Sequence, residues 1–226
     1  ALMSAFFAHL GVPPAEWPGL EAKRLDYQDP DSLHRLDGAE ADHYRAAGRP
    51  QPPNRPVTTP LEFRRIMGWE EMLAPLDDAE LLGLLSIHLG GALNLNSAPA
   101  QVLAMIPGMD AAHAERLVAQ RRLAPISSVY QAREFFPIAP IMEEALTLFP
   151  NRSGNLILWD RRFGAKRLVH CTLTPQASGG TPWQGDYEVI LPRDNRYDAI
   201  VAETPPTPLF TPPDRSGEGL HQDHPE

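Results

Sequence analysis

Cysteine, long apolar runs and an excess of positive charge are scarce or absent in this 226-residue chain. Its single cysteine, Cys171, has no partner with which to form a disulfide inside the chain. No stretch approaches the roughly 20 apolar residues that cross a bilayer, and the apolar start ALMSAFFAHLGV lacks the basic residues that open a signal peptide. With 20 basic and 29 acidic residues the formal charge is −9, which disfavours binding to phosphate backbones.

Catalytic motifs are also absent from the sequence. It contains no His-Glu-x-x-His, no Gly-x-Ser-x-Gly and no Walker loop. Cys171 lies in an apolar run typical of a strand, which favours a buried, unreactive thiol. We therefore predict no catalytic residue and a protein that is not an enzyme. What the chain does have is 42% hydrophobic residues, normal for a globular protein, and 25 prolines, about twice the usual share.

The most informative stretch runs from Leu93 to Arg122 and predicts two short helices joined by a tight turn. Ser97 is placed to cap the first helix, with Pro99 in its first turn. Pro107-Gly108 ends that helix and supplies the backbone freedom for a reversal, and Asp110 is placed to cap the second helix. This is the helix-hairpin-helix pattern.

Short, capped helices are predicted throughout residues 1–150, which we interpret as an all-helical domain. A segment that starts at Pro60 and ends at Gly68 has the same layout as Pro99 to Gly108, which predicts a weak internal repeat of helix-hairpin-helix-like units. The capping boxes predicted for this region are Thr59 with Glu62, Asp77 with Glu80, and Ser128 with Gln131. A last helical piece is predicted from Ile141 to Phe149.

From Asn151 the pattern changes to β-branched and apolar runs, which predicts a small antiparallel sheet over residues 151–204. Tyr187, Val189 and Leu191 should share one face of the third strand. The predicted strands are Leu156–Trp159, Leu168–Leu173, Asp186–Leu191 and Tyr197–Ala202. Residues 205–226 form a proline-rich tail by composition. The predicted fold class is therefore α+β.

Carboxylates cluster in an acidic loop predicted from Asp26 to Asp42, which also contains Asp29, Asp31, Asp37 and Glu40. Asp26, Asp29 and Asp31 are the candidate ligands for a calcium ion, because calcium takes six to eight hard oxygen ligands in flexible geometry. The alternative is a solvated loop in which aspartates cap turns, and the spacing is not that of an EF-hand. No other metal or cofactor is predicted.

Five short segments upstream of the hairpin stand in a characteristic order. They are Leu25-Asp26, Gly38-Ala39-Glu40-x-Asp42-x-Tyr44, Asn54-Arg55-Pro56, Pro60-Leu61-Glu62-Phe63 and Met67-Gly68. Together with the hairpin they resemble the signature segments of the K-type minor pseudopilins of type II secretion (the GspK family). The resemblance spans about Leu2 to Phe136.

The resemblance implies a structural protein at the tip of the periplasmic pseudopilus, which supports protein export across the outer membrane. It implies I- and J-type minor pseudopilins as partners, a sheet of pseudopilin type, and an N-terminal helix, missing from this sequence, that anchors the protein in the inner membrane. It also favours the calcium interpretation of the acidic loop. The alternative is a DNA-binding helix-hairpin-helix module of the competence type. Asp110 opposes that alternative, because its carboxylate would face the phosphate, so no nucleic acid partner is expected.

Overall fold

The computed structural model describes residues 2–87, 92–137, 144–159, 166–176 and 180–192. Within these ranges the chain combines helices and strands, which confirms the predicted α+β class. The helices are α1 (Leu2–His9), α2 (Trp17–Gln28), α3 (Ala41–Ala46), α4 (Trp69–Leu73), α5 (Asp78–Leu84), α6 (Ala100–Leu103), α7 (Ala111–Leu123) and α8 (Val129–Ala132), with 3₁₀ helices at Pro14–Glu16 and Pro60–Arg65. The strands are β1 (Leu93–Asn94), β2 (Leu146–Thr147), β3 (Ser153–Trp159), β4 (Lys166–Leu173) and β5 (Trp183–Leu191). No helix among the described residues is both long and apolar enough to cross a membrane.

An aromatic cluster forms the core of the first half of the chain. Phe6 and Phe7 of α1 pack against Trp69, whose ring centroid lies 5.5 Å from that of Phe7 and 5.1 Å from that of Phe63. Trp69 is fully buried, and its indole nitrogen donates a 2.9 Å hydrogen bond to the carbonyl of Leu20. Large aromatic side chains stabilise a core by their buried area, provided that polar atoms such as the indole nitrogen find a partner.

Three of the predicted helix caps are confirmed. The Asp77 carboxylate accepts the backbone N–H of Glu80, and the Glu80 side chain accepts the N–H of Asp77 in return. The side chains of Asp110 and Ser128 cap α7 and α8, because each accepts the backbone N–H of the residue three positions further on. Each cap stabilises its helix by about 1 kcal/mol because it satisfies a donor with no partner inside the helix.

Two predicted caps are wrong. Ser97 does not cap α6, because the helix begins later and Pro99 occupies its N-cap position. The side chain of Thr59 makes no cap either. Glu62 instead accepts bonds from the backbone and hydroxyl groups of Thr58, at 2.9 and 3.1 Å.

Residues 1–150 are not purely helical. Of the helix predicted from Ile141 to Phe149, the structure describes residues 144–149, and for these the prediction is wrong. Leu146–Thr147 forms β2, which pairs in parallel with β1. The prediction failed because the partner strand lies some 50 residues earlier in the chain, and a run such as Leu146–Leu148 has no local signal that separates strand from helix.

The described residues do not form the predicted repeat of helical hairpins. The segment after Pro60 is a 3₁₀ helix, whereas the segment after Pro99 is α-helical. The two segments share a glycine with positive φ at their ends, 79° at Gly68 and 90° at Gly108. The structure therefore contains a single α-helical hairpin of the predicted kind within the described residues, formed by α6 and α7.

The three long strands form an antiparallel sheet in the order β3-β4-β5. Its inner face is buried against the helices, since Leu168 and Leu191 pack with Leu82 of α5. Tyr187, Val189 and Leu191 share this face as predicted, while Ile190 on the other face is 66% exposed. The predicted fourth strand, Tyr197–Ala202, and the tail at 205–226 lie outside the described residues.

Candidate functional site

The three aspartates predicted as metal ligands have different surroundings. Asp26 lies in the last turn of α2 and is fully buried. Its carboxylate accepts the backbone N–H of Arg35 at 3.0 Å and the guanidinium of Arg35 at 2.5 Å. A side chain at Gly38 would overlap this carboxylate, so the close approach of the loop requires glycine at that position. Asp26 therefore anchors the loop between α2 and α3.

The acidic cluster that the structure brings together consists of Asp29, Asp31 and Glu40. One carboxylate oxygen from each lies within 4.8 Å of the others. The sequence places Glu40 in the same acidic loop but does not single it out as a ligand, because it follows Asp31 by nine residues and only the fold of the loop brings it back. The loop thus presents three convergent carboxylates from the end of α2 and the start of α3.

The oxygens of this cluster have few hydrogen-bond partners within the described part of the chain. Oδ1 of Asp29 accepts none, and the carboxylate of Glu40, a residue that is only 2% exposed, is approached by the backbone N–H groups of Ala41 and His43 at the start of α3 without an ideal hydrogen bond. Burial raises the pKa of Glu40, and the negative charges of Asp26 and Asp29 raise it further. Buried carboxylates are ordinarily hydrogen-bonded or paired with a cation, so this donor set fits a hard cation such as calcium.

A second polar centre organises the segment that carries the helical hairpin. The side-chain amide of Asn96 donates to the carbonyls of Ile126 and Leu148, at 2.9 and 3.0 Å, and accepts the N–H of Ile126 at 2.8 Å. Asn94 donates to the carbonyl of Phe149 at 2.8 Å. These two asparagines tie β1 to the chain after α7 and to β2. Sequence reasoning missed this role, although the alternating Leu-Asn-Leu-Asn run was its visible signal.

The hairpin itself is built for packing. Leu103, Ile106 and Leu117 are fully buried between α6 and α7. The Asp110 carboxylate accepts the N–H of His113 at 2.8 Å and contacts its ring nitrogen at 2.7 Å, and these contacts hold the pKa of Asp110 below its usual value. A negative charge therefore occupies the N-terminus of α7, where a DNA-binding hairpin would offer free backbone N–H groups to a phosphate.

The outer face of the long sheet is apolar and exposed. The large apolar side chains of this face are Leu156, Leu158, Leu173, Trp183 and Ile190, each 47–66% exposed. Arg167 and Glu188 form the one ion pair described on this face, at 2.9 Å. Cys171 also lies here between Gly154 and Gly185 and is half-buried, so the prediction of a fully buried thiol is wrong. Several exposed large apolar side chains on one sheet face, even with Arg167 between Leu158 and Ile190, indicate an interaction surface.

On the inner face, a β-bulge near His170 places Asp186 beside the histidine ring. Asp186 accepts from His170 Nδ1 at 2.8 Å and from the Thr172 hydroxyl at 2.6 Å. Burial opposes ionisation of Asp186, but the Thr172, Gln184 and His170 bonds outweigh it and hold the pKa below the usual value. His170 lines a cavity of about 350 Å³ between the sheet and the helices. No nucleophile is placed against the His170 ring among the described hydrogen bonds.

Residues 93–141 match the family model described as type II secretion system (T2SS), protein K. The match covers β1, the helical hairpin and α8, and it spans well under half of the chain. A search of curated proteins finds no match. The match supports a relationship to the type II secretion protein K family. Members of that family are structural components of a secretion system, and it is not an enzyme family. It gives no support to the competence-type DNA-binding alternative.

Proposed function

We propose that this chain is the periplasmic part of a K-type minor pseudopilin. It lies at the tip of the type II secretion pseudopilus, supports export across the outer membrane, and associates with I- and J-type minor pseudopilins. An N-terminal helix anchors the full-length protein in the inner membrane. The family match to residues 93–141 supports this function, as does the order of the upstream motifs.

The observation that carries the proposal is the apolar outer face of the sheet. Leu158 of β3 and Ile190 of β5 lie on either side of Arg167 of β4, so the outer face presents apolar side chains from both edge strands of the sheet. A three-stranded sheet needs cover on its apolar faces, and the helices of this chain cover the inner face alone among the described residues. We propose that the N-terminal helix covers the outer face, as in a pseudopilin body.

The test uses secretion by the bacterium that makes the protein. A full-length Leu158→Lys/Ile190→Lys variant should fail to restore export in a strain that lacks the gene, because two charges then face the helix. Leu123→Lys is the matched control, since Leu123 is 85% exposed and lies on α7, away from the sheet. The function is wrong if the double lysine variant is present at wild-type levels and restores export as well as the control does.

We further propose that calcium binds in the acidic loop, with Asp29, Asp31 and Glu40 as ligands and Asp26 as the residue that positions the loop. The convergence of the three carboxylates, the burial of Glu40 and the unpartnered Oδ1 of Asp29 support this assignment. A cation that binds only the folded state raises the melting temperature, by an amount that grows with its concentration. Millimolar calcium should raise the melting temperature of the wild type but not that of Glu40→Gln. Identical melting curves with calcium and with chelator would remove the assignment and leave the secretion function untouched.

A further inference from the structure

We propose that the loop between α2 and α3 is a docking element whose Leu33 and Leu36 enter an apolar groove on a neighbouring minor pseudopilin. The groove is bordered by Lys or Arg side chains. The inference rests on the proposed function, because it names the surface through which the helical part of this chain contacts its partners. It does not depend on calcium, since hydrogen bonds within the chain already hold the loop.

The two leucines are among the most exposed apolar side chains that the structure describes. Leu36 is 89% exposed and Leu33 is 79% exposed. They lie three residues apart on a loop of eight consecutive exposed residues, Pro30 to Asp37. Apolar side chains that project from a surface contribute strongly to binding when a partner pocket removes them from water.

The loop is held rigidly, which lowers the entropic cost of docking. The Arg35 backbone and guanidinium both bind Asp26, and the guanidinium also reaches Asp29 at 2.5 Å. The N–H of Leu33 donates to the Asp31 carboxylate at 2.8 Å, and Asn54 donates to the Asp31 carbonyl at 2.7 Å. Bonds therefore anchor Asp31 before the leucines and Arg35 between them. A preorganised surface loses less freedom on binding than a mobile one.

Charge around the leucines selects the partner. Asp37 and Asp42, neither of which is a proposed calcium ligand, are exposed and place negative charge beside the leucines. The cation between the leucines, Arg35, is paired with Asp26 and Asp29. A groove with a basic border complements this charge, whereas an anionic lipid surface and a second copy of this acidic chain both oppose it. The acidic rim therefore favours a basic protein groove over a membrane or self-association.

Another exposed leucine provides a matched control. Leu123 is 85% exposed but lies at the end of α7, outside the loop, and the two residues before it in the chain, Arg121 and Arg122, are basic. It should contribute nothing to a groove with a basic border. Replacement of Leu123 by serine alters exposed apolar area to a similar extent without touching the loop.

The experiment measures binding of the 226-residue chain to the purified soluble domains of the I- and J-type partners by isothermal titration calorimetry. Millimolar calcium is present throughout, so that metal occupancy is the same for all variants. Leu33→Ser/Leu36→Ser should weaken binding about tenfold or more, as expected for the loss of buried apolar contacts. Leu123→Ser should bind like the wild type. All variants should keep the wild-type melting temperature, because the altered side chains are exposed.

A second variant tests the charge argument. Asp37 has a positive φ of 60°, a conformation that asparagine also tolerates, so Asp37→Asn removes the charge without strain. We expect this variant to bind the partners more weakly than the wild type. Its affinity should also fall less than that of the wild type when the salt concentration is raised from about 0.05 to 0.5 M. An unchanged affinity and salt dependence would overturn the basic border.

The outcomes separate the inference from the function on which it rests. Failure of the wild type to bind the two partners would overturn both. Wild-type binding that the double serine variant retains in full would overturn the docking loop and leave the secretion function in place. Two other occupants of the loop are tested in parallel, a lipid surface by co-sedimentation with phosphatidylglycerol vesicles and a second copy of the chain by sedimentation velocity. If the wild type binds vesicles or forms a dimer, and the double serine variant loses that property but still binds the partners, the inference is wrong.

Discussion

Arg55 and Glu62 link two of the segments on which the family resemblance depends, and replacement of Arg55 by methionine tests that link. Glu62 is buried, and Arg55 donates to both of its carboxylate oxygens, at 3.3 and 3.1 Å. Thr58 donates to Glu62 through its backbone and hydroxyl groups, and Tyr27 donates through its hydroxyl at 3.3 Å. Methionine fills a similar space but removes two of these five bonds and the positive charge.

The magnitude follows from the exposure of the two partners. The Glu62 side chain is 6% exposed, whereas the Arg55 side chain is 46% exposed, so water screens part of the attraction. A charge-assisted hydrogen bond contributes about 1.5–3 kcal/mol when buried, and the screening reduces the expected loss to about 1–2 kcal/mol. For a chain of this size that corresponds to a fall in Tm of about 3–6 °C. Arg45→Met, at an exposed position on α3, should leave Tm unchanged.

The pH dependence of stability gives a second measurement. Burial works to raise the pKa of Glu62, but the Thr58 N–H and Arg55 outweigh it and hold the pKa below its usual 4.5. A depressed pKa in the folded state stabilises the protein above about pH 4.5, and that contribution is lost as pH falls through the folded pKa. Glu62→Gln should therefore be less stable than the wild type at pH 7, and the difference should shrink below pH 4.5. Equal melting of Arg55→Met and wild type at pH 7 would refute this reasoning.

Three further substitutions have defined outcomes. Gly108→Ala should destabilise the chain by about 1–3 kcal/mol in urea unfolding, because φ is +90° and the new Cβ would lie 3.0 Å from the carbonyl oxygen of Pro137. Gly154→Ala, with nothing within 4 Å of the new Cβ, is its control, and equal losses would contradict the strain argument. Asn96→Asp should cost about 2–4 kcal/mol at neutral pH, since a carboxylate cannot donate to the two carbonyls that the amide binds, and stability that matches the wild type would exclude that role. Asp110→Ala should lower stability by about 1 kcal/mol through loss of the α7 cap and should create no duplex DNA binding in a fluorescence titration, and salt-sensitive binding would restore the DNA-binding alternative.

The sequence predicted correctly those features whose partners are near in the chain. Asp77, Asp110 and Ser128 cap helices through the N–H three residues further on, so the spacing alone indicates the bond. The alternation of Tyr187 and Leu191 with Ile190 likewise assigned the faces of β5, because side chains alternate across a strand.

What the sequence did not predict depends on partners that are remote in the chain. Glu62 was assigned to a local cap, but it bonds Tyr27, 35 residues earlier. Asn96 binds the Leu148 carbonyl, 52 residues later, and no local pattern marks a side chain that satisfies a distant backbone group. Asp26 was predicted in a loop with the other aspartates, whereas α2 continues through Gln28 and buries it. In each case tertiary packing decided the role of a polar residue whose local context allowed several.

Two of the residues with remote polar contacts lie in the part of the chain that the family model matches. Residues 93–141 contain Asn94 and Asn96, together with Ile126, whose backbone carbonyl Asn96 binds. An asparagine amide that both donates and accepts within one buried network cannot be replaced by an apolar or a charged residue without leaving backbone groups unpaired. Leucines in the same core tolerate exchange for other apolar residues of similar volume. We therefore expect Asn96, which both donates and accepts in this network, to tolerate substitution less well than the leucines packed around it.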